Sequence, residues 1–447
     1  MKKIILFFCL FTQFGWAQID IDFFPQFQAF AGNPIIKYGD GFAGAAWNDP
    51  CVLKINGQYI MYLSAAQGIS GVNKVKIYRL VSNDGYAWSL SPSSPVIEND
   101  SGTYYAGGAE TPSVVYKNGV YHLYLTTYPF GNNGQDFAIS HGTSADGISW
   151  TMDPNTILES DGSASWKGYA VAEPGAVVYR DSIYVFFTAI GTQGASVVQG
   201  IGLIKSADGT NFTAPEQKVT MPQSVYPSAN GWYGLSTPSA LAINDSLYLF
   251  TDVARVINGT WTQVALHQFK ANSAEEQWYA DDAPIHTMQD FSWTNGSFYS
   301  ELRSITPLLE EDGRLRIWYA GNRLADVSGS DTTYHVVFDS LGNIHPHPDY
   351  WGIGTSEYQF PNTTNINAFL NAQHSFRVYP NPAKDYVIIQ AENAEEYKNI
   401  FLQNTLGQIQ TIPFERKEKT LFVDVSSLKT GVYFFVLNGR AQKIIKQ

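Results

Sequence analysis

Five copies of one pattern run through this chain, and a long, nearly constant period limits a fold more than any other sequence feature. Each copy has a proline, a short apolar run, a two-residue turn and a second apolar run. Asp49-Pro50 precedes the run 52–55, the turn Asn56-Gly57 and the run 59–63. Thr111-Pro112, Glu173-Pro174, Thr237-Pro238 and Thr306-Pro307 open the next four copies. The prolines stand at 50, 112, 174, 238 and 307, so the intervals are 62, 62, 64 and 69. A second hairpin follows in the first three copies: Ser82-Asn83-Asp84-Gly85 recurs as Ser144-Ala145-Asp146-Gly147 and as Ser206-Ala207-Asp208-Gly209. Asn-Gly and Asp-Gly supply the positive φ that tight hairpin turns demand. Two hairpins make four strands, and four-stranded units repeated about an axis are propeller blades.

The expectation is an all-β chain with a five-bladed β-propeller over residues 25–350. Composition agrees. Aromatics make up 15% of the 447 residues and charged residues only 15%, a balance suited to β core and poor for a helix bundle. The large aromatics are expected mainly between blades. The formal charge of −12 argues against a nucleic-acid partner, which requires concentrated Lys and Arg.

The two ends read differently. Lys2 and Lys3, an apolar run 4–10 and Gly15-Trp16-Ala17 have the form of a signal peptide over residues 1–17. No later run approaches the length of a membrane span, so no transmembrane segment is expected after signal removal. Cys51 is then the one remaining cysteine, which precludes an internal disulfide and suits a small buried side chain. Residues 351–375 are read as a linker and 376–447 as a small β-sandwich. The last segment carries ten Lys and Arg against seven Asp and Glu. With +3 in this tail and +2 in the leader, the middle of the chain carries −17. Tyr379-Pro380-Asn381-Pro382-Ala383, Leu406-Gly407, Gly431-Val432-Tyr433-Phe434 and the basic end Lys443-Ile444-Ile445-Lys446 together resemble the C-terminal sorting domain of the type IX secretion system of Bacteroidota. That resemblance implies the secretion machinery as a partner. It also implies export through the periplasm and outer membrane, to a secreted or cell-surface location.

Equivalent residues of successive blades form rings about the axis. The residues before the prolines give Asp49, Thr111, Glu173, Thr237 and Thr306, and the positions before those give Asn48, Glu110, Ala172, Ser236 and Ile305. Asp49, Glu110 and Glu173 thus bring three carboxylates to the channel mouth of a chain poor in charge. Glycosidic cleavage uses such a set: one carboxylate as base or nucleophile, another as acid with a raised pKa, and a third charge to tune it. An oxygen-rich ring also suits a structural Ca²⁺. No catalytic cofactor or catalytic metal is expected, and no HExxH, CxxC pair or Walker loop occurs.

Trp47-Asn48-Asp49-Pro50 is similar to the first-blade motif of glycoside hydrolase family 32. Ala172-Glu173-Pro174 with the following apolar runs resembles the acid-bearing blade of family 43. The resemblance spans about residues 25–350. It implies Asp49 as base or nucleophile and Glu173 as general acid. The second-blade Asp-Pro of family 43 is replaced by Glu110-Thr111, the family 32 Arg-Asp-Pro motif is absent, and so is its trailing sandwich. Asn48, Thr111, Trp47, Trp232, Glu301 and Arg303 are candidate substrate contacts, the tryptophans as sugar platforms or as blade core. The expected function is hydrolysis of plant or algal polysaccharides or oligosaccharides, with a carbohydrate substrate as the partner. The rival is a glycan-binding propeller without turnover.

Overall fold

In the computed structural model, the described residues are 24–42, 45–67, 75–129, 136–194, 196–243, 246–257, 260–294, 300–323, 336–338, 344–346, 351–360, 376–391, 400–404, 409–417, 420–437 and 440–447. The proposed signal peptide and the stretch 361–375 lie outside them. The chain divides into two compact units, a propeller within 23–366 and a C-terminal unit from 367.

Among the described residues the propeller is all-β apart from two single 3-10 turns. The innermost strands of the five blades are Ala45–Ile55, Gly108–Lys117, Ala170–Tyr179, Trp232–Ile243 and Ser300–Leu309. Each pairs antiparallel with the strand that follows it across the expected turn. The fifth blade departs from the sequence expectation. Its third strand is Gly352–Gln359, which the sequence placed in the linker, and this strand pairs with Arg314–Arg323. Blade five reaches past the weakly patterned stretch 324–350 to find this strand. Its fourth strand is Gln28–Ala29 from the N-terminal end, paired to Glu357 and Ser356. The last blade is therefore completed by a strand that precedes the first, which covers the outer edge of Gly352–Gln359 at Ser356 and Glu357.

Aromatics and aliphatics fill the gaps between blades. Trp47, Tyr59, Tyr78 and Trp318 share one core between blades one and five, and Phe186, Leu203, Leu249 and Phe269 share another between blades three and four. The Asp-Gly hairpins hold these layers from outside. Tyr62 Oη donates to Gly147 O at 2.6 Å, Tyr124 Oη to Gly209 O at 2.9 Å, and Trp318 Nε1 to Gly85 O at 3.1 Å, each time from one blade to the next.

Near the axis, every inner strand bulges at its ring residue. Asp49, Thr111, Glu173 and Thr237 have φ of 53°, 50°, 55° and 42°, a left-handed conformation that ordinary residues rarely hold. In blade five the corresponding residue is Ser304, with φ 54°, and Thr306 lies two positions further along. The register break between Arg303 and Ile305 admits one extra residue, where the other blades admit a residue and a proline. Thr306 instead matches Cys51 and Ser113. Thr306 Oγ1 accepts the Val52 N–H at 3.3 Å, Cys51 Sγ that of Val114 at 3.2 Å, and Ser113 Oγ that of Ala176 at 2.7 Å. Cys51 is buried, and burial pushes its thiol up to about 11, so it stays protonated. Gly175 takes this position in blade three. A Cβ there would stand 1.8 Å from Pro238 O. Gly175→Ala is expected to cost about 1–3 kcal/mol in a denaturant titration, because the two inner strands would have to part.

The C-terminal unit is a sandwich of two four-stranded sheets, with Val387, Ile389, Leu421, Val423, Leu402, Phe435 and Ile444 in its core. Its signature residues meet: Asn381 Oδ1 accepts the Ile445 N–H at 2.9 Å, and Ala383 N–H donates to Ile445 O at 2.8 Å. The YPNPA start thus pins the final strand.

Candidate active site

The bulged ring residues turn the ends of five inner strands toward one axis. They line a central cavity of about 30 Å³, room for one or two waters, with Asp49, Glu173 and Ser304 among its walls. Counting back from the true ring residue of blade five puts Arg303, in place of Ile305, level with Asn48, Glu110, Ala172 and Ser236. The one cation of that ring therefore faces the acids.

Arg303 organises the charges. Its guanidinium lies 3.6 Å from Glu173 Oε1 and 4.0 Å from Glu301 Oε2. Burial alone would lower its pKa. Glu301, Asp49, Glu173 and Asp252 oppose that and raise it, so it remains charged. Glu301 is buried and accepts from Asn322 Nδ2 at 2.7 Å, which fixes it behind the arginine.

Asp49 is buried and accepts from Ser304 Oγ at 2.6 Å. Glu173 accepts on one oxygen, Oε2, from Thr188 Oγ1 at 2.7 Å and from the Thr237 N–H at 3.1 Å. Burial pushes its carboxyl up to about 7. The Asp252 charge adds to this, while Arg303 and the two donors pull the other way. Glu110 is pushed up to about 8 by burial and then by Asp49 and Glu173, against the pull of Arg303. Two carboxyls with raised pKa thus stand in one mouth beside Asp49.

Sequence reasoning overlooked two residues of this group. Asp252, on the second strand of blade four, is wholly buried. It accepts from Ser236 Oγ, from Thr237 Oγ1 and, at 3.2 Å, from the Ser304 N–H. A repeat-based signal existed: Ser64, Thr126, Thr188 and Asp252 occupy one register, opposite Asn48, Glu110, Ala172 and Ser236. Tyr128 stands opposite Gly108, where a side chain on the glycine would collide with its ring. Burial, then Glu110 and Asp49, hold its phenol well above the ordinary value, so it is a donor beside them.

Other expected contacts fall elsewhere. Trp47 is fully buried against Phe42 and Tyr78, with Nε1 donating to Asp40 O at 2.9 Å, so it is blade core and presents no face to a sugar. Trp232 packs on Tyr226 at 4.6 Å and carries Arg255 over its ring at 5.5 Å, so its faces are taken up by packing. The Thr111 hydroxyl is spent on Glu110 O and Thr126 Oγ1. Asn48 does sit beside Asp49, with a buried Oδ1 that has no hydrogen-bond partner. Among the described residues, no three His, Cys, Asp or Glu side chains are placed to hold one metal ion.

Residues 109–231 match the family of glycosyl hydrolases family 32 N-terminal domains, and residues 377–447 match the secretion system C-terminal sorting domain. A probable sucrose-6-phosphate hydrolase of Psychromonas ingrahamii is 25% identical over 221 residues. That match covers 46% of this chain and 36% of the relative, so the chain spans about a third of the relative's length. A glycosyl hydrolase from Bacteroides ovatus superposes with a TM-score of 0.53 at 13% identity, over 76% of this chain and 96% of that one. A family 117 glycoside hydrolase of the marine bacterium Zobellia galactanivorans superposes with a TM-score of 0.50 at 14% identity, over 76% and 91%. These superpositions establish the propeller fold. No helix among the described residues is long and apolar enough to cross a membrane. The chain is a five-bladed β-propeller whose blades two and three, over residues 109–231, match the N-terminal domain of glycosyl hydrolases family 32, followed by a match to the secretion system C-terminal sorting domain over 377–447.

Proposed function

We propose that the chain is an exported glycoside hydrolase that cleaves a plant or algal polysaccharide or its oligosaccharides at the propeller mouth. The observation that carries this reading is the placement of Asp49, Glu173 and Arg303 in one buried mouth, with Glu173 held up to about 7. A carboxyl with that pKa is protonated over much of the neutral range and can give its proton to a leaving glycosidic oxygen. Asp49, fixed by Ser304 Oγ, serves as base toward water or as nucleophile toward the anomeric carbon. Arg303 keeps the carboxylates apart in charge and orients Glu173. Asn48 stands beside Asp49 and is assigned to a substrate hydroxyl, whereas Glu301, buried behind Arg303, holds the arginine in place.

Glu110 is the third acid of this reading. With a pKa of about 8 it is mostly uncharged at pH 6, so Glu110→Gln is nearly isosteric and isoelectric there. Steady-state kinetics at pH 6 should show less than about a tenfold fall in kcat/KM, against the far larger loss general acid removal brings. The sorting domain supports export by the type IX machinery, with the mature propeller secreted or held at the cell surface.

The test is incubation of the purified protein with a glycan panel, following new reducing ends. Hydrolysis of at least one member is expected. Retention of a glycan in affinity electrophoresis with no reducing end released from any glycan retained would favour the binding propeller instead.

A further inference from the structure

We propose that Asp252 is a positioning residue whose single carboxylate clamps the two strained ring residues that hold Glu173 and Asp49. The inference rests on the glycosidase reading above and adds to it a residue outside the ring of expected acids.

The repeat shows what this position requires for folding alone. In blades one to three, a hydroxyl on the second strand accepts the N–H of the next blade's ring residue. Thr111 N–H donates to Ser64 Oγ at 2.8 Å, Glu173 N–H to Thr126 Oγ1 at 2.7 Å, and Thr237 N–H to Thr188 Oγ1 at 3.0 Å. A threonine in blade four would do the same for Ser304. Asp252 does it with Oδ2 and takes two further donors: the Thr237 hydroxyl, at the place where Thr126 bonds the Thr111 hydroxyl in blade two, and the Ser236 hydroxyl, which has no counterpart in blades one to three. Burying a carboxylate is costly, and an ordinary blade would not need one.

The shared bond to Ser304 and the added bond to Thr237 together reach both sides of the mouth. Thr237, held through its hydroxyl, gives its N–H to Glu173 Oε2 at 3.1 Å. Ser304, held through its N–H, gives its hydroxyl to Asp49 Oδ1 at 2.6 Å. Both residues are in the left-handed region, at φ 42° and 54°, where a backbone persists only if its surroundings fix it. One side chain therefore sets the relative placement of two carboxylates on non-adjacent blades. Its charge also helps keep Glu173 protonated, after burial. Arg303 faces this cluster and offsets the added negative charge, with Glu301 against the arginine and Glu110 acting on Glu173 and Asp49 from blade two.

The test is Asp252→Thr, the residue blades two and three carry, and Asp252→Asn, both in the full chain and assayed on the glycan the wild type cleaves. Asp252→Thr should fold with a melting temperature within a few degrees of wild type. Its kcat should fall about 100-fold, as expected for misplaced reacting groups, with KM changed less than about threefold. The alkaline limb of kcat/KM should move to lower pH, because Glu173 loses a neighbouring negative charge. Asp252→Asn should show the same limb shift with a smaller fall in kcat, and it carries the test if the threonine variant does not fold. Wild-type kcat, or a fall in kcat with the alkaline limb unmoved in both variants, would overturn the proposal. Retained activity in Asp49→Asn and Glu173→Gln would instead overturn the site reading, so the two failures are separable.

Discussion

Glu173→Gln is expected to lower kcat about 10²–10⁴-fold and to remove the alkaline limb of the pH–rate profile. The sign follows from the protonated form being the active one. Burial and Asp252 hold Glu173 up to about 7, so the wild type should be active below that pH and lose activity as pH rises through it. Glutamine cannot donate in the same way, and the residual rate should no longer depend on a group near 7. The variant should fold, since glutamine's oxygen can still accept from Thr188 Oγ1 and the Thr237 N–H. The measurement is kcat/KM from pH 5 to 9 for both proteins. If the limb near 7 persists in the variant, the acid is another group, and Glu110, held up to about 8, is next in line.

Arg303→Met should produce the largest loss of stability. The guanidinium lies among Glu173, Glu301, Asp49 and Asp252, and methionine would leave their charges buried without a cation. Removing one partner of a buried ionic group typically costs about 3–5 kcal/mol. For a propeller of this size that corresponds to a melting temperature lower by roughly 5–10 °C. The loss should depend on pH in a defined direction. Burial already raises the Glu173, Asp252 and Glu110 carboxyls, and without Arg303 they are pushed further up. A carboxyl whose folded pKa lies above its unfolded value contributes stability below the unfolded value and loses it as pH rises through the folded one. Arg303→Met should therefore be closest to wild type near pH 4–5 and furthest from it at pH 8 and above, by thermal unfolding across that range.

Much of this architecture was legible because blades repeat. Asn56-Gly57 and Asn118-Gly119 mark the same turn one period apart, and the prolines fix the bulges of blades one to four. Aligning the repeats puts Asp49 and Glu173 on one ring and Glu110 on the ring one residue before it. Blade five misled because Thr306-Pro307 has the same two letters as the motif, whereas the bulge there forms at Ser304, which has no proline after it. The two-residue error hid the alignment of Arg303 with Glu110. The closing strand Gln28–Ala29 is too short for a periodic signal, and Gly352–Gln359 is separated from its partner Arg314–Arg323 by residues 324–351, outside the spacing of the other blades. Asp252 lies on a second strand, where no proline marks the register it shares with Ser64, Thr126 and Thr188. Trp47 and Trp232 show the opposite failure. They stand close in sequence to ring residues, but a strand alternates its faces, and both rings point into packing.

The most direct test of the central claim is the release of reducing ends from a cleaved glycan by wild type, Asp49→Asn and Glu173→Gln side by side at pH 6. Turnover by the wild type with a loss of at least about 100-fold in each variant is the expected result. Undiminished hydrolysis by both variants would contradict the assignment of the propeller mouth as the active site.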